Sequence, residues 1–468
     1  MTKILKIVAL LAALALFAVA CGSDGDSGDA SGDTVAETSD DSESEVDDSS
    51  GDDSASEADD SDGDTDEIAT GIGVTDEEIN IGLLTDLTGI FAGLTVPITD
   101  GTEAYFERLN EAGGVAGREV RPISLDTVYD VSTHQQHYDT FAADGADGVA
   151  MLGMSVGSPH TASIREDLID DSLAAIPVSW NSSWAADSGV NVLEWGANYC
   201  VEAMNGIDFL SSQFAGATVA IVGFPGDYGE DGALGAKIAA EALGLEVVYD
   251  GQGQVVPGAD QTPVIAEIVA SEADIVWAST NPTTLVELMG GAAAQGFTGQ
   301  WGGNGPTYSP LLLNTEAAPL LDASYTHFSP FNAIGAEGAG NADVRAMMQE
   351  FRPEAPFLST YVVSWIQGEI VRQTLEAAAD NGDLTRQGIL DAALSTTFEF
   401  QGVLPDTNFS GDANELLIRS SFVFDVSLDD FVPGATVTDG AGEGLVLIDD
   451  AYTSSVAEGF EYEPCFGL

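Results

Sequence analysis

Eight uncharged side chains sit in short loops that each follow an apolar run: Ser155 and Ser158 in SVGSPHT, Asn181, Ser182 and Ser183 in NSSW, Tyr228 in FPGDYG, Asn281 in TNP and Asn304 in GNGPTY. Hydroxyls, amides and a phenol hydrogen-bond; they do not exchange protons readily at neutral pH. Where such a loop opens a helix, exposed N–H groups and a Ser hydroxyl can together hold a carboxylate without a basic residue. Ser158 also reads simply as a helix cap, and the two roles are compatible. Trp184, beside Ser183, could wall a cleft or fill a core. The Gly-rich run 224–229 has neither the glycine spacing nor the Lys of a phosphate loop.

Catalytic chemistry finds little support. His134 and His137 form a His-x-x-His pair near Asp130, half of a metal site, but a third ligand is not evident and two polar residues on an exposed helix face explain the pair. No Gly-x-Ser-x-Gly elbow is present, and none of the three cysteines is placed for nucleophilic work. The expectation is a protein without catalytic residues, metal or cofactor, with a secreted enzyme as the weakest reading.

The elements that must carry these loops begin at residues 79–126, INIGLLTDLTGIFAGLTVPITDGTEAYFERLNEAGGVAGREVRPISLD. Ile79, Ile81 and Leu83 alternate as a strand, which breaks into a Gly/Thr/Asp loop over 86–93. A helix follows, read as capped by Asp100 with Glu103 in the reciprocal position and stopped by Gly113 and Gly114. A second strand spans 120–125. This is a right-handed βαβ unit and implies a parallel sheet. Further apolar runs at 148–154, 176–180, 218–224, 245–250, 274–279 and 300–303 alternate with helix candidates at 160–171, 201–214, 231–243, 262–271 and 283–295. The alternation specifies an α/β class. Residues 398–424 and 444–452 read as strands and turns.

The amino-terminal end is different. Lys3 and Lys6 precede an apolar run over 7–18 that is short for a bilayer span and has the build of an export signal. Residues 22–67 are nearly all Asp, Ser, Gly, Glu, Thr and Ala; they cannot bury enough apolar surface to offset ordering, and read as a disordered tether. The body is acidic without it: from residue 68 onward 58 acids face 10 bases. Such a field excludes nucleic acid and disfavours an anionic membrane surface; adaptation to a salty environment is the suggested cause.

The ordered set INIGLLTDLTG, NEAGGVAGR and a strand ending at Asp126 resembles the opening of the branched-chain amino acid binding proteins, the type I periplasmic-binding-protein family of ABC importers. The resemblance runs from near Ile79 to near the carboxyl terminus. It implies two doubly wound parallel-sheet lobes joined by a three-strand hinge, with crossings near Gly196, Ser329 and Gly402. The corresponding division is 75–197 with 330–400 for lobe 1 and 198–329 with 401–468 for lobe 2. It implies that Ser155 or Ser158, together with Asn181, Ser182 and Ser183, meet a ligand carboxylate. Tyr228 would press on the ligand from lobe 2, beside Asn281 and Asn304. Asn304 departs from the family, in which that loop commonly supplies an acid to an ammonium group, and this argues against an ordinary α-amino acid. Val19-Ala20-Cys21-Gly22 resembles a bacterial lipobox, making residues 1–21 a lipoprotein signal and Cys21 the lipidated mature end; the alternative is an ordinary signal peptide with a chance Cys. Cys200 and Cys465 then remain as a disulfide pair in an oxidising compartment, or as two unpaired buried thiols. The reading is a monomeric, membrane-anchored extracytoplasmic protein that passes a small polar ligand (an amino acid, amide or small carboxylate) to an ABC permease, or a receptor of the same fold that signals to a membrane partner.

Overall fold

The structure, a computed structural model, describes residues 68–184, 191–214, 216–226 and 228–467. The signal-like segment with Cys21, the acidic stretch 22–67 and Asp227 lie outside the described residues.

Two sheets organise the chain. In the first, β1 (Glu78–Thr85), β2 (Glu119–Asp126), β3 (Met151–Val156) and β4 (Ala175–Val178) lie in the order β2-β1-β3-β4 and pair in parallel throughout. Ile79, Ile81, Leu83 and Leu84 are fully buried, as a strand covered on both faces requires. Its helices are α1 (Ala92–Glu111), α2 (Val131–Ala142) and the short pair α3 (Ser158–Ser163) and α4 (Arg165–Asp170), which breaks at Ile164 where one helix was expected.

The second sheet holds β5 (Thr218–Gly223), β6 (Glu246–Gly251), β7 (Ile275–Ser279), β8 (Gln300–Gly303), β9 (Tyr325–Ser329), β10 (Ser421–Phe431) and β11 (Glu443–Tyr452), in the order β11-β10-β9-β8-β7-β5-β6. Strands β5 to β9 run parallel, whereas β10 and β11 add on antiparallel. Around it lie α5 (Tyr199–Ser211), α6 (Tyr228–Leu243), α7 (Thr262–Ser271), α8 (Pro282–Ala294) and α9 (Ala318–Ser324). After β9 the chain returns to the first lobe for α10 (Ala339–Phe351), α11 (Thr360–Asp380) and α12 (Arg386–Ser395), with α11 packed along α1. It thus passes between the sheets three times. Two of those passages touch at Gly196, where φ is +84° and a Cβ would lie 2.9 Å from Pro330 Cβ. Only glycine fits both the left-handed backbone and that approach.

Helix α1 corrects one expectation. It starts at Ala92, so Asp100 and Glu103 lie inside it rather than at its cap. Thr95, Thr99 and Thr102 return their hydroxyls to the carbonyls of Phe91, Thr95 and Ile98, which lets a Thr-rich stretch containing Pro97 stay helical. Asp100 instead pairs with Arg352 at 2.6 Å. A second correction concerns His134, which is fully buried rather than on an exposed face, its Nε2 3.2 Å from Ser155 Oγ. No group of His, Cys, Asp and Glu fit to hold a metal occurs among the described residues.

The scarce cations hold the scaffold. Arg108 bonds Asp343, Arg352 bonds Asp100 and Glu107, and Arg372 bonds Glu369 and Glu376. Arg386 is buried and donates to the carbonyls of Phe141, Ala142 and Val149, fixing α12 to the segment between α2 and β3.

A disulfide joins Cys200 in the first turn of α5 to Cys465 in the carboxyl-terminal tail, closing 265 residues of sequence. Arg419 supports the same tail through the carbonyls of Ala457 and Phe460. Replacing both cysteines with Ser should lower global stability by about 2–5 kcal/mol. Urea unfolding reads this, and an unchanged midpoint would mean that tail docking alone suffices.

Candidate functional site

The carboxyl ends of β1, β3 and β4 open toward the second lobe, where an open α/β sheet meets its ligand. Between the lobes lies a cavity. Phe91, Ile98, Tyr129, Ser158 and Trp180 line it from the first lobe, Tyr199, Tyr228, Tyr308 and His327 from the second, and Thr360 and Val363 from α11.

Its most elaborate support is the loop after β1. Asp86 accepts from the backbone N–H groups of Gly89 (2.5 Å) and Phe91 (2.8 Å). Asp126, at the end of β2, accepts from Leu87 N at 2.9 Å and Thr88 Oγ1 at 2.7 Å. These bonds aim Phe91 across the interface, with its ring centroid 4.7 Å from Tyr129, 6.1 Å from Tyr228 and 6.4 Å from Phe224. Buried aromatic rings from both lobes therefore form one cluster at the mouth of the cavity.

Of the eight residues anticipated from sequence, Ser158 and Tyr228 line this cavity. Ser158 Oγ lies 2.8 Å from Ser179 Oγ, and the Tyr228 hydroxyl donates to the Thr280 carbonyl. The other six are engaged in the scaffold. Ser155 is inside β3, its Oγ bonded to His134 and Thr161. Asn181 Oδ1 accepts from the N–H and hydroxyl of Ser183, an Asx turn. Ser182 N donates to Asp231 at 3.0 Å while its Oγ accepts from Cys465 N at 2.8 Å. Asn281 caps α8 through Thr284 N and donates to the Ile90 carbonyl across the interface. Asn304 accepts from Ser279 Oγ and donates to the Tyr199 carbonyl and Glu202. Small polar residues after a strand are consumed by caps and turns unless the ligand reaches them first. Trp184 fills the first lobe's core, its indole N–H directed at the Ser179 carbonyl.

Sequence reading missed Trp180, Tyr308, His327 and Thr360. All four line the cavity, and Trp180 Nε1, the Tyr308 hydroxyl, His327 Nδ1 and Thr360 Oγ1 are buried without a protein hydrogen-bond partner. Buried polar atoms are rarely left so. The available signal was an aromatic residue at or beyond a strand end, which Trp180 and Tyr308 both are.

Two carboxylates bind the lobes to each other. Asp231, on α6, accepts from Ser182 of the first lobe and from Phe466 N. Glu443, on β11, accepts from the N–H and hydroxyl of Ser359, the residue just before α11. Burial pushes each up to about 7 against the lowering effect of those hydrogen bonds. Burial also lifts Glu202 to about 8, and lifts Glu194 well above the carboxylate range with Asp231 adding to the effect. His327 is pushed down to about 3 by burial and is neutral.

A pH dependence follows. In the unfolded chain these carboxyls titrate near about 3.9 to 4.3. The folded state therefore holds protons that the unfolded state has lost, so this contribution to stability is complete at low pH and disappears as pH rises through about 7. The melting temperature should be higher at pH 5.5 than at pH 8 at constant salt, and Asp231→Asn should narrow that difference. An undiminished difference in the variant would attribute the effect to general charge repulsion.

Relatives agree with this geometry. A family model described as periplasmic binding protein matches residues 78–430. No curated protein sequence matches the chain. Among solved structures, a fatty acid ABC transporter substrate-binding protein from Thermomonospora curvata is 27% identical, with a TM-score of 0.77 over 86% of this chain and 99% of that one. A branched-chain amino acid ABC transporter protein from Thermus thermophilus with bound valine is 15% identical, with a TM-score of 0.68 over 82% of this chain and 98% of that one. A leucine-binding protein from Thermotoga maritima is 14% identical, with a TM-score of 0.64 over 79% and 98% of the two chains. These last two share the fold. The matched span includes every strand of the first sheet and β5 to β9 of the second, and the chain belongs to the periplasmic binding protein family, the substrate-binding proteins of ABC transporters.

Proposed function

We propose that the protein is the lipid-anchored extracytoplasmic component of an ABC importer and that its ligand has an extended apolar body. The observation that carries this reading is the lining of the interlobe cavity, where aromatic and aliphatic side chains predominate and no Lys, Arg, Asp or Glu is found among the described residues. A free amino acid would bury an ammonium there without a carboxylate beside it, at considerable cost. The small polar ligand anticipated from the hydroxyl-rich loops fits such a lining poorly. A ligand with hydrocarbon or ring surface fits it well, and the Thermomonospora curvata protein is described as a fatty acid binder.

In this reading residues 75–197 and 330–400 move as one body against 198–329 and 401–468, closing on the ligand as a monomer. Cys21 carries the lipid and residues 22–67 give the lobes reach above the membrane.

Thermal-shift screening of the purified protein against amphiphiles, aromatic acids, amides and amino acids tests the ligand class. A binder at 100 times its Kd stabilises by about 2.7 kcal/mol, and the largest shifts should come from compounds with apolar bodies. Shifts confined to free amino acids would refute the proposal. The anchor has its own test: Cys21→Ala should abolish lipid labelling and release the protein from the membrane fraction, and unchanged retention would remove Cys21 from this role.

A further inference from the structure

We propose that the cavity receives its ligand by an uncharged, hydrogen-bonding head group seated against Tyr308, His327 and Thr360. The inference rests on the apolar-ligand reading and adds to it the chemistry of the polar end.

The first observation is where the cations are. Residues 68–467 contain ten Lys and Arg, and none lines the cavity. Lys237 pairs with Asp250; Arg108, Arg352 and Arg372 pair with carboxylates on and between helices; Arg345, Arg386 and Arg419 donate to backbone carbonyls. An anionic head would enter without a counter-ion. A buried anion without a cation beside it is strongly disfavoured.

The second observation is the set of orphaned polar atoms. Trp180 is 4% exposed, Tyr308 2% and His327 7%, and each has a buried nitrogen or oxygen without a protein partner, as has Thr360 at Oγ1. The Tyr308 and His327 rings stand 5.0 Å apart on the second lobe, whereas the Trp180 indole nitrogen lies against the Gly196 turn, where an added Cβ would sit 3.2 Å from it, so Trp180 offers the cavity ring surface rather than a donor. A phenol, a Thr hydroxyl and a neutral imidazole exchange hydrogen bonds without carrying charge, and with no Lys, Arg, Asp or Glu in the lining the group they suit is itself uncharged. A hydroxyl, an ester or amide carbonyl, or a carboxylic acid retaining its proton meets that description. Burial keeps His327 from supplying a positive charge. An alkylammonium would be buried with no carboxylate in the lining.

A matched series of ten-carbon compounds, 1-decanol, methyl decanoate, decanoic acid, decylamine and decane, tests this by calorimetric titration of the full-length protein at pH 8. Decanol and the ester should bind at least about 10-fold more tightly than decanoate or decylammonium, and the acid should close on decanol at pH 5 as it regains its proton. Decanoate or decylammonium binding as tightly as decanol at pH 8 would overturn the uncharged-head assignment while leaving the apolar-body reading in place. Failure of the whole series to bind would overturn both. Tyr308→Phe removes only the hydroxyl, and should weaken decanol about 5- to 10-fold, in line with the loss of one hydrogen bond, while leaving decane unchanged. Equal loss for both would assign Tyr308 a packing role and overturn its place at the head.

Discussion

Ten cations must serve a body that carries 58 carboxylates, and where they go governs the rest of the structure. Arg108 and Arg352 draw α1 and α10 together, and Arg386 donates to three backbone carbonyls. Most acids are left to the solvent, where they keep their charge. The few that are buried must either be stitched by several N–H and O–H donors or keep their proton. Asp86 follows the first course in part, held by Gly89 and Phe91, and Glu194 and Glu202 follow the second. With the cations committed to helices and carbonyls, the interlobe cavity is built from rings, methyl groups and neutral donors. Its apolar character is thus a product of the charge distribution as much as of local packing.

The fold was legible in the sequence because buried parallel strands and amphipathic helices leave periodic marks. Strand β8 and helix α7 lie where their patterns end, at Gln300–Gly303 and Thr262–Ser271. Boundaries failed where side chains did unusual work. Asp100 has the composition of a cap but occurs mid-helix because Thr95 and Thr99 satisfy the carbonyls a turn before it and Arg352 takes its charge. Helix α11 left a faint mark, since most of its circumference is buried and apolar residues surround it.

The site was legible only in its loops. Strand ends could be located, and Ser158 and Tyr228 do face the cavity. Which polar group in a loop meets the ligand depends on competing local bonds, and Ser182, Asn281 and Asn304 are each claimed by a carboxylate, a helix start or a carbonyl. Those claims involve partners 49, 3 and 105 positions away, a mixture that spacing along one chain does not reveal. Trp180 and His327 escaped notice for the opposite reason. Each looks like core until both lobes are present to form a wall.

The Cys200–Cys465 bond also alters what a protease can accomplish. Everything between those cysteines, including the excursion that builds α10, α11 and α12, belongs to a covalent ring. A single backbone cut inside the ring, on an exposed turn such as that at Gly434 or Gly440, opens it without producing a separate fragment. The nicked chain keeps its mass on a non-reducing gel and divides only after reduction. For an extracytoplasmic binding protein, one clipped loop then leaves a connected molecule, with both lobes still present to meet across the cavity.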